Sequence, residues 1–147
     1  MFMDTDFLFD GEIKLQLEKT VNADPEREWL PAYHFAICDM NGQKMGTCDF
    51  RVGHNMKVYY GGNIGYKVDE EFRGHRYAAK ACKLIFELAK KHDLSYVLIT
   101  CNPNNWASRR TCEILGGELL EIVDLPLDSE MRALGEDVMC VFRFNLT

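Results

Sequence analysis

The chain has 147 residues, 47% hydrophobic and 12% aromatic, enough for one buried core over residues 1–147 without disulfide or metal staples. Its 17 basic and 23 acidic side chains leave a net charge of -6, which argues against the basic surface of a nucleic-acid-binding protein. Six cysteines, at positions 38, 48, 82, 101, 112 and 140, never take C-x-x-C spacing, and four histidines are equally scattered, so no metal site is expected.

The opening residues lack a cationic segment followed by a long apolar core, and no run approaches the ~18 apolar residues of a membrane span. A cytoplasmic protein with reduced thiols and no membrane partner is therefore expected. Ile13 to Glu18 alternates apolar and polar residues, which predicts a half-buried strand. Asp24 to Trp29 predicts a short helical turn with Asp24 as N-cap and Pro25 at the first helical position. Two strand-like runs, Tyr33 to Cys38 and Lys44 to Val52, flank Asn41-Gly42, which predicts a hairpin closed by a type I′ turn.

After Gly61-Gly62, a further strand runs to Val68, followed by Asp69-Glu70-Glu71 and the turn Arg73-Gly74-His75-Arg76-Tyr77-Ala78. Ala79 to His92 has one apolar face at helical spacing, with its lysines mostly outside it. Tyr96 to Cys101 is the short β-branched run of a central strand, and Trp106 to Leu115 predicts a second helix ended by Gly116-Gly117. Two final strands, Glu118 to Val123 and Val138 to Phe144, are joined by a long acidic connection that is a candidate for function. This order predicts a mixed α/β sheet with a helix on each face.

A glycine-bearing turn opening a helix aims several N–H groups at one point, where the helix dipole favours negative charge. Residues 73–78 therefore read as a pyrophosphate cradle. A dinucleotide fold would place an acidic residue about 20 positions onward, at the end of the next strand. Cys101 and Asn102 stand there instead.

The turn and its flanks resemble the acetyl-CoA signature of the GCN5-related N-acetyltransferases (GNAT), Arg/Gln-x-x-Gly-x-Gly/Ala. Asn105-Trp106-Ala107-Ser108 through Glu113-Ile114-Leu115-Gly116-Gly117 is similar to a second block of the same superfamily, Asn-x-Ala-Ser…Glu-x-Leu-Gly-Phe. The resemblance covers residues 44 to 123. It implies a mostly antiparallel mixed sheet of six to seven strands, helices on both faces, and a V-shaped splay between the fourth and fifth strands.

It also implies acetyl-CoA as cosubstrate. Tyr66 and Val68 would bond the pantetheine through their backbone, and Arg73, Gly74, His75, Arg76, Tyr77 and Ala78 would form the pyrophosphate cradle. Arg76 replaces the family's second glycine, so its side chain either points to solvent or clasps a phosphate. Asn105 and Ser108 would reach the cofactor, although both also suit a helix start. The acceptor would be a primary amine on a small molecule or a peptide N-terminus, attacking the thioester directly in a ternary complex. Homodimers are implied too, with the last strands and residues 124–137 as the first interface to consider.

For proton transfer, Cys112 stands where many relatives carry an acidic tyrosine, and Asn63 where they carry a basic glutamate. A cysteine there is either a proton donor or a small core residue. Candidate bases are Asp49, His54, Glu70 and Glu71; each also suits a plain polar surface or turn position. Trp29, Tyr33, Tyr59, Tyr60 and the acidic connection are candidate acceptor contacts. Two other readings stand beside the enzyme: a non-catalytic acyl-CoA-binding or regulatory module, and a purely structural domain, which would make the paired motifs coincidence.

Overall fold

Among the described residues seven strands form, and they part into two sheets. In the computed structural model, which describes residues 2–146, β1 (Ile13–Val21), β2 (Ala32–Asp39), β3 (Lys44–Arg51) and β4 (Ile64–Val68) pair in that order. The second sheet runs β5 (Tyr96–Cys101), β7 (Val138–Asn145), β6 (Glu118–Asp124). All five ladders are antiparallel. The strand number matches the expected mixed α/β architecture, and the splay between the fourth and fifth strands is a break between sheets.

Period-two alternation decides which face is covered. Tyr33, Phe35 and Ile37 of β2 and Cys48 and Phe50 of β3 are buried, together with Ala81, Cys82, Ile85, Leu88 and Ala89 of α2 (Tyr77–Lys91). Val97, Ile99 and Cys101 of β5 join the same core, so it spans both sheets. Each large aliphatic side chain buried there contributes about 1.5–3 kcal/mol. On the opposite face His34, Asp49 and Arg51 are only partly buried and Thr47 is exposed, whereas Ala36 and Cys38 are buried.

Three local features differ from expectation. The β2–β3 turn is not type I′: Gly42 has φ 89°, while Asn41 is absent from the positive-φ residues. Asp39 explains this, because its Oδ1 accepts from the amides of Asn41 and Gln43, both at 2.9 Å, and draws them into a longer loop. In β1 the pairing shifts between Leu17 and Lys19, so Glu18 is a bulge residue and Lys19 falls opposite His34. Finally, Met56–Gly61 forms a short helix, α1, where no element was expected. Asn55 caps it by accepting from Val58 N at 2.9 Å.

The remaining helices are α3 (Trp106–Ile114) and α4 (Glu130–Ala133), the latter inside the acidic connection. Between β1 and β2 only a 3-10 turn, Pro25–Arg27, intervenes. Among the described residues no helix is long and apolar enough to cross a membrane.

Tyr33 is fully buried, and its hydroxyl lies 2.6 Å from His92 Nε2 at the end of α2. Burial lowers the pKa of His92 from the ordinary 6.5, against an opposing pull from Asp93. His54 is lowered as well, by burial first and then by Arg143, against a backbone hydrogen bond with Tyr96. A lowered folded-state pKa means that the unfolded chain binds protons more readily. Stability is therefore complete above about pH 6.5 and is lost as pH falls below it, through the folded-state values. Melting temperature should drop between pH 7 and pH 5, and His92→Gln should make the drop shallower; an unchanged slope would sink this account.

Candidate active site

Asn63 is where the two sheets meet. Its backbone N–H donates to Leu98 O at 2.7 Å, and its side-chain Oδ1 accepts from Leu98 N at 2.9 Å. On the other side, Nδ2 donates to Arg51 O at 2.9 Å and to Gly53 O at 2.7 Å, while Asn63 O accepts from Arg51 N at 2.7 Å. A carboxylate has no N–H to donate to those two carbonyls. The asparagine thus stands as a clasp at the vertex, fully buried, where the resemblance placed a base.

Beyond this vertex β4 and β5 are not paired with each other. Tyr66 crosses toward α3, its hydroxyl 2.6 Å from Ser108 Oγ. Asn105 caps α3 by accepting from Ser108 N at 3.2 Å. Ser108 and Cys112 are the buried residues of that helix, in keeping with their one-turn spacing. Burial raises the Tyr66 phenol well above its usual value, and burial is likewise the main cause that pushes the Cys112 thiol up to about 12. Cys112 therefore holds its proton tightly.

At the far end of β4 lies the turn 73–78. Arg73 Nε donates to Val68 O at 3.0 Å, which fixes the turn against the strand. Gly74 takes φ 92° with nothing within 4 Å of an added Cβ, and Arg76 adopts the left-handed conformation, φ 63° and ψ 28°, as N-cap of α2. The first turn of α2 has no side-chain cap bond and no acidic residue. Its amides are the orphan donors of a helix start. Arg73, Gly74, His75 and Arg76 are all exposed around them.

On the open face of the four-stranded sheet, Asp49 Oδ1 accepts from Gly65 N at 2.9 Å and from Arg51 Nη1 at 3.3 Å. A Cβ on Gly65 would sit 2.7 Å from that oxygen, so glycine is what admits the carboxylate. A cleft of about 450 Å³ is lined here by Glu18, Lys19, His34, Thr47, Asp49 and Lys67, among others. It adjoins a cleft of about 680 Å³ that shares Lys19 and His34 and is walled by Trp29, Met56, Tyr60 and Met131. Asn55 Nδ2 to Glu28 O at 2.9 Å, Lys57 Nζ to Arg27 O at 2.9 Å and Lys57 Nζ to Glu130 at 3.5 Å hold the walls together.

Of the expected proton-transfer residues, Asp49 lines the smaller cleft and Cys112 is on the inner face of α3. His54 is in neither place. Its ring stacks on Tyr96, centroids 4.1 Å apart, at the start of β5 and before the vertex residue Leu98. Glu70 and Glu71 are exposed in a 3-10 turn. Of the expected acceptor contacts, Trp29, Tyr60, Asp128 and Glu130 line the larger cleft. Tyr33 does not, because it points into the core. Tyr59 bonds Glu121, which is the leading cause of its pKa being pushed up to about 12. Lys19, His34 and Arg51 carried no sequence signal, since only strand register brings them together.

A family model described as an acetyltransferase (GNAT) domain matches residues 10–118. No curated protein matches the sequence. Among solved structures, an acetyltransferase (GNAT family) from Bacillus anthracis superposes with a TM-score of 0.61 at 18% identity, covering 77% of this chain and 66% of its own. RimL, a ribosomal L7/L12 alpha-N-protein acetyltransferase, gives 0.60 at 18% identity, over 82% of this chain and 62% of its own. The acetyltransferase yncA from Salmonella typhimurium, solved with its cofactor acetyl-CoA, gives 0.60 at 13% identity, over 79% and 65%. The chain spans a little under two thirds of the length of these structures. Their likeness shows the fold, and the family model, matched over more than half of the chain, shows that it belongs to the GNAT acetyltransferase family.

Proposed function

We propose that this protein is an acetyl-CoA-dependent N-acetyltransferase whose acceptor is a primary amine on a small molecule or a protein N-terminus. One observation carries the reading: β4 pairs with β3 along one edge and leaves its β5-facing edge unpaired beyond Asn63, with the uncapped start of α2 past its far end and the two clefts beside it. The main-chain groups of Tyr66 and the N–H of Val68 on that edge suit a pantetheine arm, while Val68 O also accepts from Arg73 Nε. The orphan amides of the α2 first turn, with Gly74 leaving them uncovered, suit a pyrophosphate. Arg73, His75, Arg76 and Tyr77 border that position, Ala78 allows close approach, and Asn105 and Ser108 at the start of α3 are the polar groups that would reach the cofactor from the other side of the splay.

Acetyl-CoA, when bound, supplies an acyl carbon activated as a thioester. The chain's own contribution is to hold the acceptor nitrogen against that carbon and to receive its proton. Apolar walls from Trp29, Met56 and Met131 beside Asp128 and Glu28 suit an amine with an apolar body. A protein N-terminus is compatible with the open face of the sheet, and RimL is a protein acetyltransferase of similar fold.

Calorimetric titration with acetyl-CoA and a thiol-release assay over a panel of amines test the reading. Micromolar binding and amine-dependent release of thiol are expected. No binding at high micromolar concentration would overturn it, and binding without release would favour the non-catalytic module instead. That second reading has a specific motive: Asn63 is fully engaged as the clasp and Cys112 is a tightly held thiol.

Arg76→Gly separates fold from affinity at the cradle. A non-glycine residue in the left-handed region is strained by about 1–2 kcal/mol, so the variant should melt at a higher temperature. Its acetyl-CoA affinity should nevertheless fall, and fall less steeply with added salt, because one cation beside the phosphates is gone. Equal affinity at every salt concentration would show that the Arg76 side chain faces solvent.

A further inference from the structure

Resting on the acetyl-transfer reading, we propose that His34 accepts the proton of the acceptor ammonium and that Asp49 is its positioning residue. Strand register places the two in one row. Lys19 of β1 pairs with His34 of β2, His34 with Asp49 of β3, and Asp49 with Gly65 of β4. The row therefore crosses the whole sheet and ends at the strand that parts from β5. The β1 bulge at Glu18 is what sets Lys19 opposite His34.

His34 lines both clefts, so an amine seated in the larger one passes it on the way to the β4 edge. Its Nδ1 is 4.0 Å from Asp49 Oδ2. The other oxygen of Asp49 is already occupied by Gly65 N–H and the Arg51 guanidinium. One carboxylate oxygen is thus pinned and the other is left toward the imidazole, on the side from which a carboxylate can set a histidine's orientation. The His34 side chain is 34% exposed, against 23% for Asp49, so the histidine is the better placed of the two to meet an amine and to pass a proton to water. Lys19 from β1 and Arg51 from β3 also face the larger cleft, and Glu18 and Lys67 the smaller. Arg51 is paired with Asp49 at 3.3 Å.

The proton balance is simple. The acceptor enters as an ammonium and gives one proton to His34 Nε2, from which it passes to solvent. Its freed lone pair forms the C–N bond to the thioester carbonyl carbon. The C–S bond breaks, the thiolate takes up a proton, and the nitrogen loses its second one, leaving an amide, a free thiol and one proton released.

The test compares wild type, His34→Gln and His34→Ala by steady-state acetyl transfer to an amine, with acetyl-CoA affinity measured calorimetrically alongside. Loss of a general base is expected to lower kcat/KM for the amine about 100- to 10,000-fold in both variants, with acetyl-CoA affinity unchanged. Added imidazole should restore part of the rate of His34→Ala, since the truncated side chain opens onto the clefts; a purely structural role would not respond. A wild-type rate in His34→Gln, or a deficit that imidazole leaves untouched while acetyl-CoA still binds, overturns the assignment and leaves the acetyl-transfer reading standing. A wild type that binds acetyl-CoA but releases no thiol with any amine overturns that reading and the His34 assignment with it.

Discussion

Asn63→Ala should lower the unfolding free energy by about 3–5 kcal/mol. The side chain serves three partners at once: Arg51 O, Gly53 O and Leu98 N. Alanine would strand two carbonyls and one amide, each costing about 1–3 kcal/mol if it stays buried, so the estimate assumes that water recovers part of the loss. Asn63→Asp is the sharper test. It keeps an acceptor for Leu98 N but presents a carboxylate to two carbonyl oxygens in a fully buried site, so it should be at least as damaging at neutral pH. Urea denaturation reads both effects. A midpoint within experimental error of wild type for either variant would mean that the vertex is held by something other than this residue.

Gly46→Ala is expected to come next, at about 2–3 kcal/mol, together with weakened acetyl-CoA binding. Gly46 of β3 lies opposite Val68 of β4. A Cβ there would fall 2.3 Å from Lys67 O and 2.9 Å from Val68 Cα, which are backbone atoms and cannot rotate aside. The clash can be relieved only by moving β4 off β3 near Val68, the segment proposed to pair with the pantetheine arm. A thermal melt and a calorimetric titration give the two readouts. Reduced stability with full acetyl-CoA affinity would remove the outer half of β4 from the binding site.

Much of this was legible in the sequence because it is local. The spacing of Ala81, Cys82, Ile85 and Ala89 defines the buried face of α2, and the one-turn spacing of Ser108 and Cys112 puts both on the buried face of α3. The glycine-bearing turn at 73–78 and the capping asparagine at 105 are short-range signals of the same kind. What escaped was set by pairing between distant segments. Lys19, His34, Asp49 and Gly65 become neighbours only once three registers and one bulge are fixed, and no periodicity announces a bulge. Asn63 reads in sequence as a missing base because its partners lie at 51, 53 and 98. The helix at Met56–Gly61 was hidden by its length: at six residues it depends on its cap and on packing rather than on any periodic stripe.

The joint at Asn63 and Leu98 makes the four-stranded sheet, with β4 at its edge, a lever whose fulcrum lies at one end. At about 3.3 Å per residue, Val68 lies roughly 16 Å along the strand from Asn63. A tilt of about 5° at the joint would therefore carry Val68 sideways by about 1.4 Å, beyond the roughly 1 Å misplacement that can slow a reaction about a hundredfold. Angular stiffness at a residue that need never touch a substrate thus sets how well the far end of the strand keeps its aim.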